Sequence, residues 1–186
     1  MKRVFDLVLV VIAGVILAIP LAITALLVRL SSKGPIIYWS SRVGRDNVIF
    51  TMPKFRSMQV GTPAIATHLL KNPDAYLTPI GGFLRRSSLD ELPQLWSVAI
   101  GDMSFVGPRP ALFNQHDLIE MRTLGGVHKL LPGITGWAQI NGRDELPIPH
   151  KVALDIEYLR TMSLWLDARI IFHTASKVLA KQNVSH

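Results

Sequence analysis

Asp90 and Glu91 stand side by side in the stretch SSLDELPQL, residues 87–95, and the arginine pair Arg85 and Arg86 comes just before it. Two adjacent carboxylates beside cations suit chemistry on phosphate. One carboxylate can attack phosphorus or hold a divalent cation, while guanidinium groups offset the charge that develops. A structural role competes with this, because Ser88 followed by Glu91 has the S-x-x-E spacing of a capping box at a helix start. In that role the Glu91 carboxylate is occupied by backbone amides, whereas in the chemical one it is free to serve a metal or a proton.

Three more clusters bear on the choice. Lys54-Phe55-Arg56-Ser57-Met58 sets two cations around an apolar anchor. Gly107-Pro108-Arg109-Pro110 fixes an arginine between prolines, which restricts its backbone and suits a guanidinium held against phosphate oxygens. LPGITGWAQINGR, residues 131–143, is a glycine-punctuated loop ending at Arg143; its glycines let backbone approach a ligand, although Asn-Gly is also a common hairpin turn. Together these clusters gather cations around one acid pair, as diphosphate chemistry requires. Magnesium is the natural metal, since it takes one or two carboxylates plus substrate phosphates. No P-loop and no G-x-G-x-x-G run is present. The histidines at 68, 116, 128, 150, 173 and 186 lack metal-ligand spacing and read as surface or packing residues.

The elements that must position these groups follow from breakers and periodicity. A helix is expected over 88–100, ending at Gly101. Short apolar runs at 36–39 and 48–52 flank the polar turn 44–47 and predict a hairpin. Prolines at 108 and 110 forbid helix there. Residues 59–79 read as irregular apart from a short helical candidate over 65–71, and the tail 150–182 reads as two helices broken near Ser163 and Leu164. The fold class is α+β, mainly helical with a small β-hairpin or sheet.

Residues 7–28 contain no charged side chain and only Thr24 as a polar one. At about 1.5 Å per residue such a helix can cross a hydrocarbon core of about 30 Å. It is longer than a usual signal-peptide core and no clear cleavage site follows. Pro20 falls near its middle, where proline bends or breaks a helix. Lys2 and Arg3 precede the run, and Arg29, Lys33, Arg42 and Arg45 follow it, so both flanks have the positive character of cytoplasmic ends. On these grounds a re-entrant hairpin and a simple span both remain open. The chain divides into a membrane segment, 1–32, and a domain carrying the polar clusters, 33–186.

Composition limits the function further. The 186 residues are 49% hydrophobic and carry a formal net charge of +7, which suits an anionic partner. With no cysteine, disulfides, zinc thiolate sites and cysteine nucleophiles are excluded. One alternative is a non-catalytic, membrane-anchored basic protein that binds anionic lipid or nucleic acid, but the arginines cluster around an acid pair and not along one helix face. A membrane hydrolase using the same groups on a diphosphate, with water as acceptor, is a further alternative.

The order of motifs, from the basic start and proline-bearing apolar helix through KFRSM, RRSSLDELPQLW, GDMSFVGPRP and PGITGWAQINGR, resembles the bacterial sugar transferase family, the small monotopic polyprenyl-phosphate phosphoglycosyl transferases. The resemblance implies a membrane helix that re-enters at a break on Pro20 and a catalytic domain on the cytoplasmic face of the inner membrane, with amphipathic helices at the interface. It implies transfer of a sugar 1-phosphate from a UDP-sugar to undecaprenyl phosphate with release of UMP, a membrane step that begins a surface glycan. Asp90 would be the nucleophile and magnesium ligand, and Glu91 its partner. Arg85 and Arg109 would bind phosphate, Arg143 would reach the nucleotide, and Lys54 and Arg56 would complete the phosphate- and nucleotide-binding set. Nucleic acid is not an expected partner, and the oligomeric state, a homodimer included, stays open. Two residues depart from the pattern: Ile19 replaces a serine found before the proline in some members, and Leu131 replaces an arginine found in many.

Overall fold

The computed structural model describes residues 1–63, 65, 71–142 and 146–179. Its first element, α1 (Lys2–Ser31), is a single helix that includes Pro20. The missing proline amide removes one bond from the helical ladder, and a helix can absorb that loss as a bend without stopping. The expected interruption at Pro20 is therefore not an end to the helix. Along α1 large aliphatic side chains such as Val15, Ile16 and Ile19 are exposed, and mean hydropathy over its most apolar window reaches 2.9.

Both ends of α1 are tied to the rest of the chain. At its start Lys2 Nζ lies 2.6 Å from Asp167 Oδ2, and Tyr158 donates its hydroxyl to Asp167 Oδ1 at 2.6 Å. Arg3 donates to the carbonyls of Val98 and Ala99, and buried Asp6 accepts from Ser104 Oγ and the Phe105 amide, each at 3.0 Å. At the other end Leu21, Ala25 and Val28 pack with Phe55 and Leu84.

Strands β1 (Ile37–Val43) and β2 (Ile49–Phe55) form the antiparallel hairpin, in register from Ile37 opposite Phe55 to Val43 opposite Ile49. Its turn, Arg45–Asn47, holds Asp46 and Asn47 at φ values of 54° and 59°, a left-handed conformation that these short polar side chains tolerate best after glycine. Helix α2 (Gly81–Arg86) leads into a 3₁₀ turn, Leu89–Gln94, and then α3 (Leu95–Ile100), which Gly101 closes at φ 101°. The sequence expectation of one helix over 88–100 is thus corrected: the first half is a tighter turn. Ser88 does not cap it with its side chain, since it lies at φ 57° outside the capping geometry.

Strand β3 (Ser104–Val106) pairs in parallel with β4 (Gly133–Thr135). The pairing depends on small residues, because a Cβ on Gly107 would sit 2.3 Å from the Leu131 carbonyl and one on Gly136 2.1 Å from the Gly107 carbonyl. Helices α4 (His116–Leu124), α5 (Trp137–Ile140), α6 (Ile148–Thr161) and α7 (Leu164–Leu179) complete the domain. The break between the last two falls where the sequence placed it. The helical candidate over 65–71 lies largely outside the described residues. Bulky apolar side chains are exposed outside α1 too, notably Trp96, Trp165 and Phe172.

Candidate active site

The 3₁₀ turn sets the acid pair. With about three residues per turn, neighbouring side chains diverge by roughly 120°, so Asp90 and Glu91 face different surroundings. Glu91 Oε1 accepts from Lys54 Nζ at 2.7 Å and from Arg109 Nη2 at 2.9 Å. Burial pushes the Glu91 carboxyl up, but the charges and hydrogen bonds of Arg109 and Lys54 outweigh it and hold the group well below its ordinary value. Its carboxylate is therefore not closing a capping box, which answers the question the S-x-x-E spacing raised.

Asp90 is different. It is only 8% exposed and forms no hydrogen bond or ion pair with another described residue. Its pKa rises from 3.8 to about 6: burial raises it most, Lys54 opposes that, the Glu91 charge adds to it, and Arg85 and Arg109 oppose it again. A desolvated carboxylate with unused lone pairs, surrounded by cations, can attack an electrophile or bind a cation.

Each cation arrives by its own local route. Lys54 comes from β2, opposite Tyr38 in the hairpin register. Arg85 ends α2 and places Nη1 3.7 Å from Met58 Sδ. Arg109 follows β3 in the Gly-Pro-Arg-Pro run, and Pro108 O accepts from the Gly133 amide at 2.9 Å. Behind Arg109, Arg122 donates to its carbonyl at 2.7 Å and to Asp155 Oδ2 from Nε and Nη2 at 2.9 and 2.7 Å. Arg42 Nη1 donates to the Pro110 carbonyl at 3.1 Å. The positioning pair Arg122 and Asp155 escapes sequence reading, because neither lies in a glycine- or proline-marked motif; the only signal was a charged residue on an otherwise inward helix face.

Of the sequence-predicted site residues, Asp90, Glu91, Lys54, Arg85 and Arg109 come together. Arg56 does not join them in the same way. It is buried, with Nε donating to the Pro35 carbonyl at 2.7 Å and Nη2 to the Ser32 carbonyl at 3.0 Å, so it braces the exit of α1. Arg143 lies outside the described residues. Among the described residues no three His, Asp or Glu side chains gather as a metal cluster.

A fold of this kind, an apolar N-terminal helix joined to a small domain with an acid pair inside a cage of basic residues, defines a class. The chain belongs to the bacterial sugar transferase family, whose model matches residues 1–181. It is 42% identical to the UDP-glucose:undecaprenyl-phosphate glucose-1-phosphate transferase of Escherichia coli K12, over 95% of this chain and 40% of that protein. It is 40% identical to the undecaprenyl-phosphate glucose phosphotransferase of Komagataeibacter xylinus, over 98% of this chain and 36% of that one. It is also 37% identical to the uncharacterized sugar transferase EpsL of Bacillus subtilis, over 99% of this chain and 90% of EpsL. The chain thus spans about two fifths of the first two relatives and nearly all of the third.

Proposed function

We propose that the chain transfers a sugar 1-phosphate from a UDP-sugar to undecaprenyl phosphate and releases UMP, with Asp90 as the nucleophile. The observation that carries this reading is Asp90 itself: buried, without a described partner, and flanked by Lys54, Arg85 and Arg109. In the first step an Asp90 carboxylate oxygen attacks the β-phosphorus of the donor. The bond from that phosphorus to the bridging oxygen breaks, and UMP leaves with the electron pair. In the second step a phosphate oxygen of the lipid attacks the aspartyl phosphorus, the Asp90 carboxylate leaves, and the product is a lipid diphosphate sugar. Glu91 keeps Lys54 and Arg109 fixed, and Arg109 and Arg85 offset charge that develops on the phosphoryl oxygens.

Magnesium fits the same residues. Its protein ligand would be Asp90, whose raised pKa reflects a buried charge that a cation would offset, and it would supply charge neutralisation on the donor diphosphate. The pairing of these cations also weighs against the binding-protein alternative: Lys54 and Arg109 converge on Glu91 and do not form a basic stripe along one helix face.

Membrane association follows from the exposed apolar surface of α1, and the exposed Trp96, Trp165 and Phe172 suit a headgroup interface. The re-entrant course of α1 is supported by both of its ends binding the same domain, and the cytoplasmic placement by the basic flanks Lys2, Arg3, Arg29 and Lys33. The test is Asp90→Asn, assayed for UMP release with UDP-sugars and undecaprenyl phosphate. Asparagine keeps the size but is a very poor nucleophile, so release should fall to background; release at the parent rate would remove Asp90 from this role. Radiolabelled sugar retained on the parent protein when the lipid is withheld tests the covalent step.

A further inference from the structure

Just past the end of α1, a pocket of about 320 Å³ opens between Ser32, Lys33, Arg56, Gln59, Val60, Thr78 and Pro79. Among the described residues that line it are two cations and no carboxylate. Ser32 Oγ is buried there without a hydrogen-bond partner. Arg56 uses only Nε and Nη2 on backbone carbonyls. Its Nη1 makes no such bond and lies beside Gly34, where φ is +123° and a Cβ would stand 3.4 Å from Nη1 and 2.9 Å from Val60 Cγ2. A hydroxyl without a partner, a guanidinium with an unengaged nitrogen and an ammonium group, all on residues that line one cavity, are the partners of a phosphate.

Position narrows the source of that phosphate. Ser32 and Lys33 directly follow the last residues of α1, at the level where lipid headgroups lie against a membrane-dipping helix. Chain connectivity through α2 also ties the pocket to the reaction centre. Its wall residues Thr78 and Pro79 lead straight into α2, which ends at Arg85 and Arg86, and Gly81 sits so close to β2's exit that a Cβ on it would be 1.9 Å from the Ser57 carbonyl. A helix of this length spans only about 9 Å at 1.5 Å per residue, so a phosphate in the pocket is within one short helix of Arg85.

We infer that this pocket binds the phosphate monoester of the lipid acceptor before it meets the sugar phosphate on Asp90. The inference rests on the transferase reading above. Lys33 supplies charge from the rim, Arg56 and Ser32 supply fixed donors from the floor, and the lipid tail runs back along the exposed aliphatic side of α1.

The experiment uses the full chain in phosphatidylcholine nanodiscs. Binding of a fluorescent polyprenyl phosphate is measured for the parent, Lys33→Glu and Val60→Trp, the last filling an exposed edge of the pocket, with unfolding midpoints as a control. Both substitutions should weaken binding tenfold or more, raise KM for undecaprenyl phosphate, and leave KM for the UDP-sugar unchanged. Parent-like binding in both folded variants overturns the site. Equal competition by phosphatidylglycerol, a phosphodiester, overturns the acceptor assignment and makes the pocket a general phospholipid site. Because binding is read without turnover, failure of the transferase reading would show separately, as normal lipid binding with no UMP release from any donor.

Discussion

Arg122 donates from Nη1 to the backbone carbonyl of Arg109 at 2.7 Å while the same guanidinium grips Asp155. The arginine that meets the Glu91 carboxylate is therefore held from behind by a second arginine whose own charge is matched. Both Arg122 and Asp155 are buried. Removing one partner of a buried ion pair strands the other, at a cost of about 3–5 kcal/mol. Asp155→Asn should lower the unfolding midpoint in detergent and reduce kcat/KM for the UDP-sugar at least tenfold at temperatures where the variant is still folded. Arg109→Lys, by comparison, should lose activity with little loss of stability. An Asp155→Asn protein as stable and as active as the parent would show that the brace does not matter.

The raised pKa of Asp90 gives a pH dependence with a definite sign. As nucleophile Asp90 must be ionised, so kcat/KM should fall about tenfold per pH unit below about pH 6. Stability runs the other way. The folded state holds this proton more tightly than the unfolded chain, so the contribution of Asp90 to stability is full below 3.8 and is lost as pH rises through about 6. A neutral Asp90→Asn should then be more stable than the parent at pH 7.5, by up to about 3 kcal/mol from the size of the shift, and should lose that advantage near pH 4. Thermal melts of both proteins at the two pH values decide it, and an asparagine variant that melts below the parent at pH 7.5 contradicts the account.

Much of this arrangement was legible before any coordinates, and the reasons differ by residue. The acid pair, the Pro-flanked Arg109 and Lys54 announced themselves because proline, glycine and adjacent charges constrain local chemistry whatever the fold. The hairpin turn was legible for the same reason, with Asp46 and Asn47 supplying left-handed backbone. The capping box misled, since its spacing is local while Glu91's actual partners, Lys54 and Arg109, come from distant elements. The parallel pairing of β3 with β4 was illegible because each strand has only three residues, too few to show a period. Arg56 had the right charge in the right motif, and only packing revealed that backbone carbonyls claim two of its nitrogens.

Lys54 and Glu91 act on Asp90 with opposite signs, which separates their roles. The Lys54 charge lowers the Asp90 pKa and the Glu91 charge raises it. Lys54→Met should move the acidic limb of the pH–rate profile upward, toward neutral pH, and Glu91→Gln should move it downward. Both should also cut kcat, Glu91→Gln strongly, because Lys54 and Arg109 lose their shared acceptor. Profiles of kcat/KM from pH 4.5 to 8.5 on each variant read the two displacements. Limbs that shift in the same direction would mean that the charges do not act on Asp90 as described.

The course of α1 can be tested with the chain's own composition, because it has no cysteine and any thiol introduced is the only one. A straight helix of 30 residues is about 45 Å long and would separate its ends by a hydrocarbon layer of about 30 Å. Yet Lys2 and Arg3 bond to Asp167, Val98 and Ala99 at one end, and Val28 packs on Phe55 and Leu84 at the other. One domain cannot hold both ends across a bilayer, so either those contacts break in the membrane or the chain returns to the side it entered from. Single cysteines placed in a tag ahead of Met1 and at exposed Ser41 should both resist a membrane-impermeant maleimide in spheroplasts and both react after lysis. A tag that reacts in intact spheroplasts while Ser41→Cys does not would establish a simple span. Charge reversal of the staple, Lys2→Glu with Arg3→Glu, should increase the fraction of chains labelled at the tag, since it repels Asp167 and removes the donors that hold α1's start against α3.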